Sequence, residues 1–204
     1  GSWALDIPNI LCLYGDEVRG GDQPDTKEVR DLDTIGILRT AYQIKTRKMY
    51  PSGRKINDAP EFFIGGADTP FKINNDFDGS NLLKKIEAGV EFFQTQYAFE
   101  EDILKNYMLR LNELNITEKA YFIIGLGVIK SAKSARWMNK NLFGINIPEE
   151  IINRIEQSSD ESLEGIKICT ELVEKYKSIE GVSGIHLMGY KQEKEIASVI
   201  SHFK

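Results

Sequence analysis

Short, nearly continuous apolar runs alternate along this chain with longer stretches of helical apolar period. The first pattern suits strands buried on both faces, the second suits helices with one apolar stripe. Ile10-Leu-Cys-Leu-Tyr14 reads as a buried strand ending at Gly15-Asp16, before a polar loop rich in Gly and Asp. From Asp33 to Thr46, apolar residues at Ile35, Ile37, Leu38, Ala41 and Ile44 predict a helix. A loop from Met49 to Pro60 follows, and Glu61-Phe-Phe-Ile64 reads as a strand stopping at Gly65-Gly66. Asn81 to Gly89 predicts a helix, Val90 to Tyr97 a strand, Glu100 to Leu114 a helix, and Ala120 to Leu126 a strand. Ala132 to Leu142 is the next helix, and Pro148 marks another start, since its ring pre-sets φ where no donor is needed. Ser158, Ser159 and Asp160 offer an N-cap for a long helix reaching Lys177. Gly184 to Met188 and Gln192 to Phe203 close the series as strand and helix.

Repeated strand-then-helix units predict an α/β fold with a parallel sheet and one domain over residues 1–204. Two architectures fit: an open doubly wound sheet or part of a barrel. In both, the site sits at the C-terminal edge of the strands.

Composition narrows the function classes. The 204 residues carry 26 Lys and Arg against 31 Asp and Glu, a net charge of -5. That balance argues against a general nucleic-acid or anionic-membrane binder, because both need a positive field. The longest apolar run, Ala120 to Ile129, has ten residues, about half of what a membrane span requires. No basic segment leads into an apolar one, so no signal peptide is expected. Cys12 and Cys169 form no CxxC pair, and with His186 and His202 they make no zinc spacing. A reduced, cytoplasmic setting is the expectation.

Several stretches resemble the methylenetetrahydrofolate reductase family. They are Asn9-Ile-Leu-Cys-Leu-Tyr-Gly-Asp16, Gly21-Asp-Gln-Pro24, Asp31-Leu-Asp33, and Phe62-Phe-Ile-Gly-Gly-Ala67 with Pro70 following. Lys85-Ile-Glu-Ala-Gly89 followed by Phe92-Phe-Gln-Thr-Gln-Tyr97 is the strongest stretch. Phe143-Gly-Ile-Asn-Ile-Pro148 and Gly181-Val-Ser-Gly-Ile-His186 continue in the family's order. The resemblance implies a (β/α)8 TIM barrel of which this chain holds the last five βα units, from strand four to strand eight. It therefore implies an incomplete barrel, either a fragment or a subunit completed by self-association or a partner, and a chain poorly active or inactive by itself. The family's general acid, a Glu on the first strand, has no counterpart here.

The resemblance also implies roles. Asp16 would lie beside flavin and pterin, tuning hydride transfer and binding the pterin's amino groups; Gly15 precedes it on the flavin side. Gln96 would bind the folate through an amide that both donates and accepts. Asp78, Asn81 and Lys85, at helical spacings, would hold the ribose and pyrophosphate of FAD, or less fully FMN. Asp31, at a helix opening, is a further flavin-side candidate. No metal is implied. Three departures touch cofactor affinity and substrate stacking: Tyr14 where the family has Arg, Val128 where it commonly has Pro, and Met188 where it tends to an aromatic. Phe92, Phe93, Tyr97 and Trp137 read as packing residues. His186 reads as a core or rim histidine with a satisfied hydrogen bond. Tyr50, Arg54 and Lys55 read as surface. Gly125-Leu-Gly127 followed by Lys130 lacks the spacing of a phosphate loop and reads as a strand-to-helix turn.

The activity expected from the resemblance is flavin-dependent reduction of 5,10-methylenetetrahydrofolate to 5-methyltetrahydrofolate, an oxidoreductase of one-carbon metabolism. Electrons would come from a reduced nicotinamide nucleotide or a partner. The alternatives are a flavin-free methyltetrahydrofolate-binding methyltransferase and a non-catalytic barrel subunit for assembly.

Overall fold

The computed structural model describes every residue except Asp16, Arg19 and Gly20. The first of these is the central candidate of the sequence, so its expected role lies outside the described residues. Among the described residues there are five strands: β1 (Asn9–Cys12), β2 (Phe63–Asp68), β3 (Phe92–Tyr97), β4 (Tyr121–Leu126) and β5 (Val182–Leu187). Seven α-helices accompany them among the same residues: α1 (Thr34–Arg47), α2 (Ser80–Glu87), α3 (Glu101–Glu113), α4 (Ala132–Asn141), α5 (Glu149–Glu156), α6 (Glu161–Tyr176) and α7 (Glu193–His202).

The strands stand in chain order, β1-β2-β3-β4-β5, in one five-stranded sheet. β1 pairs parallel with β2, Asn9 opposite Phe63, and β4 pairs parallel with β5. Sequential order decides between the two architectures left open above. A doubly wound sheet reverses its strand order at a switch point, whereas a βα barrel winds one way. The α/β fold is thus consistent with a run of units from a (β/α)8 barrel.

The chain packs as two compact units, residues 1–67 with 80–93 and residues 68–79 with 94–204. In the first unit, Leu38, Ile64, Leu82 and Phe93 are buried. Phe63 and Phe92 stack with ring centroids 5.2 Å apart. Burial of each such side chain contributes about 1.5–3 kcal/mol. β2 runs through Gly65 and Gly66 rather than stopping there. The glycines belong to the strand because a Cβ on Gly65 would collide with the Phe92 ring, and one on Gly66 would stand 3.0 Å from Val90. Glu91 binds the Lys45 ammonium at 2.7 Å and accepts the Ile64 N–H at 3.0 Å, tying α1 to β2.

In the second unit, Phe122, Ile124 and Leu126 alternate along the buried face of β4. α6 packs against β4, α5 and α7. At Gly165 it lies close against the segment after β4, where a Cβ would overlap the carbonyl oxygen of Ile129. Tyr176 of α6 donates its hydroxyl to the Ala98 carbonyl at 2.9 Å. Asp160 takes the N-cap, accepting from the Leu163 N–H at 3.0 Å. Trp137 departs from the expected packing role, being 57% exposed. α4 buries Ala132 and Ala135, and a residue two positions beyond Ala135 faces away.

Candidate functional site

The C-terminal end of β3 carries the most ordered candidate geometry. Thr95 faces inward, Gln96 is half-buried, and Tyr97 closes the strand. Tyr97 donates its hydroxyl to the Met188 carbonyl at 3.2 Å and stacks on Phe99 at 5.5 Å. Burial raises its phenol above the usual range. Phe92 and Phe93 are buried as expected. The Gln96 Oε1 accepts the Tyr97 N–H at 3.0 Å. The Thr95 hydroxyl donates to the Gln96 carbonyl and accepts from Gly125 N–H, both at 2.8 Å. Thr95 was not singled out from the sequence; a buried threonine just before an amide at a strand end was the available signal.

Gly125 and Gly127 are required by close approach. A Cβ on Gly125 would stand 2.7 Å from the Gln96 carbonyl oxygen and against the Met188 methyl. One on Gly127 would stand 2.6 Å from the Tyr97 ring. Gly125 lies inside β4, and the turn to α4 follows. Lys130 is committed within the turn, to the Lys191 carbonyl at 2.7 Å and Glu195 at 3.0 Å. It serves the structure there, in keeping with a turn rather than a phosphate loop. His186 is half-buried and meets the Gln94 amide at 3.3 Å, the satisfied rim histidine that was expected. Burial holds its imidazole below the usual range.

Just beyond Gln96 along the same chain lies a cavity of about 330 Å³. Phe71, Tyr97 and Phe99 form aromatic walls, with Lys72, Glu100 and Asn146 as its polar groups. Beside it, Tyr107 donates its hydroxyl to Asp68 at 3.0 and 3.1 Å. Burial first, then the charge of Asp68, pushes the Tyr107 phenol far above its ordinary range. Neither feature was anticipated, because both join residues distant in sequence.

The flavin-side candidates fall in different places. Asn81 and Lys85 stand one turn apart on α2. Asn81 is exposed, and the half-buried Lys85 donates to the Ala67 carbonyl at 2.6 Å. An ammonium has three donors, so this contact leaves N–H groups for an anion. The donor chemistry on α2 therefore fits a phosphate or ribose group. Asp78 is exposed and belongs to the other compact unit. Asp31 does not open a helix: it is exposed, and Asp33 caps α1 by accepting the Gly36 N–H at 2.7 Å. Gly15 is exposed with open space where a Cβ would stand. Beside it, the Arg30 guanidinium lies 4.7 Å over the Tyr14 ring, so a cation stands near where the family carries one at position 14. Tyr50, Arg54 and Lys55 are exposed. Both cysteines are buried free thiols, and burial pushes Cys169 up to about 12.

A parallel sheet wound in sequential order, with helices between its strands, is the organisation of a run of βα-barrel units. The family model of methylenetetrahydrofolate reductase matches residues 1–204, and the chain belongs to that family. It is 25% identical over 205 residues to a probable methylenetetrahydrofolate reductase (NADPH) of Caenorhabditis elegans, covering 97% of this chain and 28% of the relative. It is 23% identical to methylenetetrahydrofolate reductase 2 of Schizosaccharomyces pombe, covering 96% of this chain and 31% of that protein. Methylenetetrahydrofolate reductase (NADH) 1 of Arabidopsis thaliana is 25% identical, with 95% of this chain and 33% of the relative covered. The chain thus spans about a third of the length of these relatives. A similar fold is seen in an uncharacterized protein from Clostridium thermocellum that binds two copies of 5-methyl-5,6,7,8-tetrahydrofolic acid. Its TM-score is 0.52 at 19% identity, over 72% of this chain and 53% of that one. Among the described residues, no helix is long and apolar enough to cross a membrane.

Proposed function

We propose that this chain forms the folate- and flavin-binding part of a barrel that reduces 5,10-methylenetetrahydrofolate to 5-methyltetrahydrofolate. The observation that carries the reading is the family match over the whole chain. The placement of Gln96 supports it, at a strand's C-terminal end with its amide oriented by Tyr97. In this reading Gln96 and Asp16 orient the pterin. If the flavin is FAD, Asp78, Asn81 and Lys85 hold its nucleotide end; FMN would leave Asp78 and Asn81 less occupied. When bound, the flavin supplies the hydride for the methylene carbon; the protein's share is position and electrostatics. A reduced nicotinamide nucleotide or a partner subunit supplies the electrons. The remaining units of the barrel, and a cytoplasmic location, belong to the same proposal.

A second reading keeps the folate site without a flavin, as in a methyltransferase. Tyr14, Val128 and Met188, the three departures from the family that touch cofactor affinity and substrate stacking, favour it.

The test is an absorbance scan of the purified full-length protein, with titration of 5-methyltetrahydrofolate into wild type and Gln96→Ala. Flavin bands that bleach with a donor and return on adding methylenetetrahydrofolate support the reductase. Folate binding with no flavin bands, even after adding FAD or FMN, supports the second reading. The loss of Gln96's hydrogen bonds should weaken binding about tenfold. Unchanged binding would remove Gln96 from the site.

A further inference from the structure

We propose that Thr95 is the positioning residue that sets how Gln96 presents its amide, an inference resting on the folate reading above. Among the described residues Thr95 is the one buried side chain that is neither apolar nor aromatic, at 3% exposure. A buried hydroxyl needs partners, and this one has two. It accepts from the Gly125 N–H at 2.8 Å and donates to the Gln96 carbonyl at 2.8 Å. The first of these contacts joins the Thr95 hydroxyl to the backbone of β4, the strand beside it.

The consequence follows from the planarity of the peptide group. The Gln96 carbonyl and the Tyr97 N–H belong to one peptide unit. Pinning the carbonyl through Thr95 fixes the direction of that N–H. The N–H in turn binds the Oε1 of Gln96 at 3.0 Å. With Oε1 held, the amide cannot exchange its two ends without losing the bond, because an NH2 cannot accept from N–H. The outward group is therefore Nε2, which has no partner among the described residues. Gln96 thus turns the two N–H donors of Nε2 outward, where they suit an acceptor edge of the ligand, a carbonyl oxygen or an unprotonated ring nitrogen of the pterin. The missing side chain of Gly125 completes the arrangement by letting the Gln96 carbonyl approach.

The experiment is a binding cycle in the full-length protein with 5-methyltetrahydrofolate as the probe, using Thr95→Ser, Thr95→Val, Gln96→Ala and the Thr95→Val/Gln96→Ala double variant. Thr95→Val should raise Kd about tenfold, the cost of a misdirected hydrogen bond, while Thr95→Ser restores binding. Thr95→Val should add nothing once Gln96 is alanine. Equal losses in both backgrounds, or wild-type affinity in Thr95→Val, overturn the role. A ligand-free readout separates this inference from the folate reading. The Gln96 side-chain amide resonances should move in Thr95→Val and stay in place in Thr95→Ser. Unmoved resonances in Thr95→Val overturn the relay. Moved resonances in a protein that binds no folate sustain the relay and overturn the ligand assigned to it.

Discussion

The Gln94 amide meets Nε2 of His186 at 3.3 Å, over the sheet position where Gly125 and His186 stand in register. Since an amide NH2 can only donate, Nε2 accepts and the imidazole is neutral. Burial lowers the His186 pKa, so the unfolded chain holds its proton more tightly. Stability from this group is present above about pH 6.5, the unfolded value, and is lost as pH falls through the lower folded value. Thermal unfolding between pH 7.5 and 5.5 should show this loss in the wild type. His186→Gln, which keeps an acceptor for Gln94, should flatten it. Parallel curves for the two proteins would show that His186 does not titrate against folding.

Gly165 is a packing requirement. Alanine there places a methyl group on the Ile129 carbonyl, and neither backbone can yield easily. Gly165→Ala should cost about 1–3 kcal/mol, although alanine is the better helix former. Denaturant midpoints decide it; an unchanged or raised midpoint would mean that α6 shifts freely.

The Tyr107 hydroxyl has Asp68 as its partner in a buried setting. Tyr107→Phe should destabilise by about 1–3 kcal/mol, since it leaves a carboxylate short of a donor. Combining it with Asp68→Asn should give less than the sum of the two losses. Strict additivity would mean the two residues act independently.

Lys85 has two candidate employments, the Ala67 carbonyl and a flavin phosphate. Lys85→Gln can keep a hydrogen bond to Ala67 but has no charge. Under the proposed function it should fold normally and bind flavin about tenfold more weakly, consistent with losing a charge-assisted contact. Equal flavin affinity in the two proteins would restrict Lys85 to holding the end of β2.

Much of the fold was legible in the chain because burial imposes local periods. Each strand-helix unit carried its own apolar run and stripe, and the caps at Asp33 and Asp160 bind backbone groups three residues away. The family resemblance was legible for the same reason, being carried by short contiguous stretches. Winding order was not: nothing within a βα unit states which strand its neighbour pairs with, and only the sheet order did. Gly65 and Gly66 looked like a strand end because glycine usually punctuates. They lie inside β2 because Phe92 and Val90, more than twenty positions away, occupy the space of their side chains. Trp137 looked like core by its apolar neighbours, yet the face of α4 that is buried is chosen by what packs on it. Gln96 could be named from sequence as a donor-acceptor amide. Which end of it faces a ligand depended on a hydroxyl, a peptide plane and a missing side chain on the next strand. Sequence determines which groups are available and with what local period, while the direction of a hydrogen bond is set by partners that only the folded chain brings within 3 Å.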